Sequence, residues 1–172
     1  MGPAGGEGSA SDYTRPAPQP REENRRAYGR GQQRWRVIAL DLGSKRIGVA
    51  VSDRSGTIAT PLTVIARSGD EASDHRRIKA VVDEEEAERI VVGLPLSLDG
   101  SIGPAARSAI AEAERLASVA AVPVETFDER LTTVTAERAL LEQGVRGSSR
   151  RRVVDKVAAA VLLQAWLDGR TS

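Results

Sequence analysis

The alternation of apolar and polar positions begins at Trp35, and the 34 residues before it show no apolar period. Val37-Ile38-Ala39-Leu40-Asp41-Leu42 is a short apolar run with a carboxylate at its end, which predicts a central strand buried on both faces. Gly43-Ser44-Lys45-Arg46 predicts a turn and residues 47–52 a second strand, so the two form a hairpin. A third strand is expected over 57–65, where Pro61 calls for an edge position or a bulge. Residues 72–87 predict a helix with Ile78, Val81 and Val82 inward and its many acids outward. Residues 89–94 read as a buried strand, followed by a loop marked by Pro95 and Asp99-Gly100. Pro104 suits the first position of a helix, with Ala106, Ile110, Ala113 and Ala117 as its apolar stripe. A fifth strand is expected over 122–127, a helix over 133–142 with Gly144 as its cap, and a last helix from Ser148 or Ser149 to about Leu167.

Three strands in succession, followed by alternating helices and strands, do not make a simple Rossmann unit. They fit an α/β fold with a mixed five-stranded sheet flanked by helices, an antiparallel meander joined to parallel strands, which is the RNase H-like pattern. Residues 1–34, rich in Gly, Pro, Ser, Gln and Arg, are expected to be a disordered tail, and 35–172 to be the single folded domain. No apolar run approaches the ~18 residues of a membrane span, and the N-terminus has no apolar core of a secretory signal. A cytoplasmic protein without a membrane partner is the expectation.

Composition narrows the chemistry. Cys is absent and His75 is the single histidine, which removes thiol catalysis, Cys-based zinc sites and most His-based constellations. Carboxylates, a lysine or hydroxyls must carry any catalysis. With 3% aromatics, a stacking platform for single strands is not expected. Net charge is +1, so any attraction to nucleic acid must come from local patches.

Asp41 is the first unusual acid, since a charge closing an apolar strand is costly unless paired or metal-bound. A strand-end Asp also caps turns, so position alone leaves both roles open. Asp155 is the second. It shares one helical face with Ala159, Leu162 and Trp166, so it lies on the apolar stripe and needs an Arg or Lys partner or a metal. Asp128 and Glu129 end the fifth strand, and alternation lets only one of them face a site shared with Asp41. Acids converging in this way form an oxygen cage suited to Mg²⁺ or Mn²⁺. Hard cations there can activate a water and bridge a scissile phosphate without any His or Cys. Lys45 and Arg46, in the turn directly after Asp41, are candidate phosphate contacts. So is Arg150-Arg151-Arg152, because cations in the first turn of a helix oppose its dipole and a purely structural reason would favour acids.

Four stretches, ALDLGSKRIGVAVSD (39–53), VVGLPLSLDGSIGPAA (91–106), FDERLTTVTAE (127–137) and VVDKVAAAVLLQAWL (153–167), carry a specific resemblance. In this order they resemble the YqgF (RuvX-like) family of Holliday junction resolvases, also described as pre-16S rRNA nucleases. The resemblance spans nearly all of the chain after Arg36. It implies an RNase H-like fold and a bacterial cytoplasmic nuclease using Mg²⁺ or Mn²⁺. The implied role is 5′-end processing of pre-16S rRNA in ribosome biogenesis, or alternatively Holliday junction resolution in DNA recombination and repair. Structured nucleic acid and ribosomal precursor particles are the implied partners, for a monomer or homodimer. By position, the implied catalytic and metal-binding acids are Asp41, Glu129 and Asp155, with Asp128 as alternative to Glu129. Lys45, Arg46, Arg130 and Arg150 to Arg152 are the expected nucleic-acid contacts. The chain departs from the wider superfamily where the fourth strand runs into Gly93-Leu94-Pro95 without an acid. Asp99 in the next loop is a candidate substitute, and one or two metals remain compatible with the sequence. Two other readings fit the fold: a non-catalytic ribosome-assembly or transcription factor, and an actin-like nucleotide-binding domain. The second is disfavoured by length, since those proteins close two such domains on the nucleotide.

Overall fold

The computed structural model describes residues 36–128, 130 and 148–170, with only the backbone path given for 148–153. The expected tail over 1–34, the helix over 133–142 and Glu129 lie outside the described residues.

Strand β1 (Arg36–Leu42) turns through Gly43 into β2 (Arg46–Ser52), and β3 (Ala59–Ala66) extends the meander. Helix α1 (Glu71–Glu84) crosses to β4 (Ala87–Leu94), helix α2 (Pro104–Ala120) crosses to β5 (Val124–Asp128), and α3 (Ser148–Asp168) closes the chain. The sheet order is β3-β2-β1-β4-β5. β1–β2 and β2–β3 are antiparallel, whereas β1–β4 and β4–β5 are parallel. The expected mixed sheet is therefore present, and the C-terminal ends of β1, β4 and β5 share one edge. Pro61 satisfies both of its expectations: β3 is an edge strand, and its register with β2 shifts between Val49 and Ala50, opposite Thr63 and Pro61.

Alternation along the central strands builds two cores. Ile38, Leu40, Ile47, Val49, Ile90 and Val92 face α1 and α2, meeting Ile78, Val82, Ala113 and Leu116. Val37, Ala39, Ala50 and Val91 face α3, meeting Ala159, Leu162, Leu163 and Trp166. Both faces of β1 are thus buried, which is why its sequence is a continuous apolar run.

Local signals fix the helix ends. The Asp70 carboxylate accepts from the backbone N–H groups of Ala72 and Ser73 and caps α1. Pro104 opens α2 as expected. Two helical faces differ from the sequence expectation. The buried stripe of α2 runs through Ala106, Ala109, Ala113, Leu116 and Ala120, and Ala117 is exposed. In α1 the acids are not all outward, because Asp74 and His75 are buried beside Ile78 and Val82.

Candidate active site

Asp41 follows Val37 and Ala39 at odd positions of β1, so it lies on the face that α3 covers. Its cross-strand partner on β2 is Gly48. A Cβ on Gly48 would lie 2.0 Å from the backbone carbonyl oxygen of Asp155 and 2.6 Å from its carbonyl carbon. Only a residue without a side chain lets the α3 backbone approach the sheet at this point. The approach brings Asp155 next to Asp41.

The electrostatics record that proximity. Burial, and then the charge of Asp155, push the Asp41 carboxyl up to about 6. Among the described residues, no donor hydrogen-bonds to the Asp41 carboxylate. Asp155 has the partner its place on the apolar stripe demands: Arg46 Nε donates to its Oδ2 at 2.5 Å. Arg46, expected as a phosphate contact, is thus engaged with an acid of the site. Lys45 is exposed on the turn directly after Asp41. Arg67 pins that turn, its backbone N–H donating to Lys45 O at 2.9 Å and its Nε to Gly43 O at 3.1 Å.

Asp128 takes a different position. It pairs in register with Leu94, whose side chain packs on Ala106 and Ala109 of α2, so Asp128 belongs to the α2 face and not to that of Asp41. Arg130 occupies its carboxylate, with Nη2 donating at 2.6 Å and Nε at 3.0 Å, and holds the acid below the usual range. Arg130, expected on phosphate, is thus also paired. Asp99 is exposed in the loop after β4; the Ser101 hydroxyl and the Ser101 N–H, which donates at 2.9 Å, keep its carboxyl low. Its carboxylate is turned to its own loop. Arg150, Arg151 and Arg152 fall in the first turn of α3, and their side chains lie outside the described residues.

Two features escaped the sequence reading. Gly48 lies in an unremarkable apolar strand, and its role depends on a helix far along the chain. The other is a buried ionic cluster on the opposite face of the sheet. Glu71, His75 and Glu112 offer metal-ligating atoms within 4.8 Å of one another. Guanidinium groups already hold both carboxylates there: Arg67 bonds Glu112 at 2.6 and 3.0 Å, and Arg115 bonds Glu71 through Nε and Nη2. Asp74, 1% exposed, joins them; burial pushes its carboxyl up, but the Ser68 N–H and hydroxyl and the charges of Arg67 and Arg77 hold it low. Among the described residues, charge balance is complete in this cluster and incomplete around Asp41. Asp41 and Asp155 are thus two neighbouring oxygen donors on one face of the sheet, the ligand type that suits a hard divalent ion.

Comparison with known proteins identifies the family and the fold. The family described as RuvX, Holliday junction resolvase, matches residues 35–169. A protein of Rhodococcus erythropolis is 51% identical over 142 residues, covering 80% of each chain, and bears the name "Putative pre-16S rRNA nuclease". Proteins of the same name from Mycobacterium sp. strain KMS and Thermoanaerobacter pseudethanolicus are 49% and 43% identical, with 80% and 78% of this chain matched to 82% and 97% of theirs. Among solved structures, T. thermophilus RuvC in complex with a Holliday junction substrate superposes with a TM-score of 0.52 at 18% identity, over 80% of this chain and 96% of that one. The fold is thus RNase H-like, as RuvC's is. No helix among the described residues is long and apolar enough to cross a membrane.

Proposed function

The chain belongs to the RuvX family, and from that premise we propose that it is a metal-dependent nuclease that hydrolyses phosphodiester bonds in structured nucleic acid. Pre-16S rRNA is the substrate favoured by the names of its relatives, and within that reading the proposed cut is at its 5′ end, in cytoplasmic ribosomal precursor particles. One observation carries the reading: a half-buried Asp41 whose carboxylate accepts no hydrogen bond among the described residues and is set beside Asp155 by the gap at Gly48. Structural carboxylates acquire donors, and this one has a second acid instead. That arrangement fits a divalent cation, Mg²⁺ or Mn²⁺, with Asp41 and Asp155 as ligands. Glu129 is the proposed third ligand, because strand alternation assigns its neighbour Asp128 to the opposite face and Arg130 already engages that acid.

When bound, such an ion supplies an activated water and charge stabilisation at the phosphate. The chain's own groups do the rest. Asp41 and Asp155 orient the site from two rigid elements, a central strand and a packed helix. Lys45, on a turn pinned by Arg67, offers a cation to the phosphate beside the cut, and Arg150, Arg151 and Arg152 are the further proposed phosphate contacts.

The test is cleavage by purified protein with Mn²⁺ of a pre-16S rRNA 5′ fragment and, separately, of a four-way DNA junction. Asp41→Ala is expected to lower the rate by about a hundredfold or more, since it removes a ligand from a site with few. Equal cleavage by the variant would remove the enzyme reading and leave a nucleic-acid-binding module. Junction resolution is the second reading, favoured by the family description and by the RuvC-like fold. Preferential cutting of the DNA junction would establish it.

A further inference from the structure

Arg46 closes the gap between the two readings of Asp155 as salt-bridge partner and as metal ligand. It begins β2, and its Nε reaches Asp155 Oδ2 on α3. The pair is half-buried, with 30% of the Arg46 side chain and 24% of that of Asp155 exposed. The neighbouring Asp41 carboxylate receives no donor among the described residues, so of the two acids only Asp155 is paired with Arg46. A divalent ion on Asp41 and Asp155 would fall within a few ångströms of a guanidinium held on the same carboxylate, where like charges repel strongly in a partly desolvated site. Both cannot be held there at full strength.

We propose that Arg46 is a metal-sensitive latch: it neutralises Asp155 in the metal-free protein, a divalent ion displaces it, and the freed guanidinium becomes a phosphate contact for nucleic acid. This rests on the metal-nuclease reading and deepens it. Arginine suits the exchange because its planar fork binds a carboxylate or a phosphate with the same geometry. It passes from one oxyanion to another without leaving the site. Arg46 is placed for this, since the turn carrying Lys45 immediately precedes it and the half-exposed pair is open to an incoming phosphate. The Arg130–Asp128 pair at the same sheet edge has no such role, because Asp128 belongs to the other face. The latch makes metal and nucleic acid cooperative: each favours the state the other needs, by the same factor.

The experiment titrates Mn²⁺ into the full chain by calorimetry without nucleic acid, for wild type, Arg46→Gln and Arg46→Lys. Arg46→Gln is expected to bind Mn²⁺ roughly three- to tenfold more tightly, the range of a half-exposed ion pair removed from competition. Arg46→Lys, which keeps the charge, is expected to stay near wild type. A labelled RNA hairpin is then titrated by anisotropy in EDTA and in Ca²⁺. The gain in affinity on adding the cation is expected to be several-fold larger in wild type than in Arg46→Gln. Mn²⁺ affinity that is unchanged or weaker in Arg46→Gln, or equal gains in RNA affinity, overturns the latch and leaves the metal site standing. No Mn²⁺ binding by any of the three proteins removes the metal reading, and the latch with it.

Discussion

Asp41 bears a cost in the metal-free protein that the site's chemistry explains. Its carboxyl is raised from 3.8 to about 6, first by burial and then by Asp155. The folded state therefore keeps a proton that the unfolded chain has lost, across the window from about pH 4 to about pH 6. Raising the pH through that window lowers stability, by an amount on the order of 3 kcal/mol at most before solvent screening. Asp41→Asn removes the charge and keeps the shape. It is expected to raise the metal-free melting temperature at pH 7 by several degrees, while abolishing Mn²⁺ binding and cleavage. Thermal melts of both proteins from pH 4 to pH 8 check this: the stability difference should open between pH 4 and 6 and then stay constant. Adding Mn²⁺ should narrow it, because the ion stabilises wild type alone. The carboxyl also sets the lower limit of activity, since a protonated Asp41 is a poor ligand. Mn²⁺ affinity is expected to rise as pH increases through about 6 and to level off above it. A Mn²⁺ affinity that does not change between pH 5 and 7 would exclude Asp41 as a ligand.

At the scale of elements, the approach of α3 to the β1–β2 pair decides whether the two acids meet. Gly48→Ala puts a methyl group 2.0 Å from the Asp155 carbonyl oxygen, a backbone atom that can yield only if the helix moves. The expected destabilisation is about 1–3 kcal/mol, the usual cost of overpacking. Mn²⁺ affinity should fall as well, because the same movement carries Asp155 away from Asp41. Chemical denaturation and calorimetry read the two effects separately, and a loss of stability with unchanged Mn²⁺ affinity would show that the gap serves packing alone. Arg67 braces the opposite side. Arg67→Met leaves Glu112 and Asp74 buried without their shared cation and releases the turn at Gly43. The expected loss is about 3–5 kcal/mol at pH 7 by urea denaturation, and smaller at pH 4, where the orphaned acids can protonate. Local pattern reached the strands, the Pro61 irregularity and the placing of Asp155 on a buried stripe, because each depends on neighbours within a few residues. It did not reach Gly48 or the burial of Asp74 and His75. Those depend on partners from other elements, and a charged stretch with buried salt bridges has the same local period as a solvated face. The stripe on α2 was misplaced for a related reason: alanines fit inside and outside alike, and contact with the sheet chooses between them.

Across the whole molecule the sheet separates two ionic centres of opposite character. On the α1–α2 face, Arg67, Arg115 and Arg77 balance Glu71, Asp74 and Glu112, with Asp74 and Glu112 buried and Glu71, Arg77 and Arg115 at the solvent side. On the α3 face, Asp155 is paired with Arg46 and lies beside Asp41, near the edge where β1, β4 and β5 end together. Open α/β sheets place ligands at that carboxyl edge, and nucleic acid must reach it against a chain whose net charge is only +1. Long-range attraction is therefore weak, and affinity should come from a few local contacts. Each such contact releases counterions and steepens the salt dependence by a fixed step. Arg151→Ala is expected to weaken binding of an RNA hairpin at low salt and to reduce the magnitude of the slope of log affinity against log salt by about one. Lys45→Ala should do the same, and the two losses should add, since the turn and the start of α3 would contact different phosphates. Arg46→Gln should match them only when a divalent cation is present, because without one the guanidinium is held by Asp155. Anisotropy titrations at four salt concentrations, with and without Ca²⁺, distinguish the three residues, and a full Arg46 effect in EDTA would mean that its guanidinium already reaches phosphate without the ion.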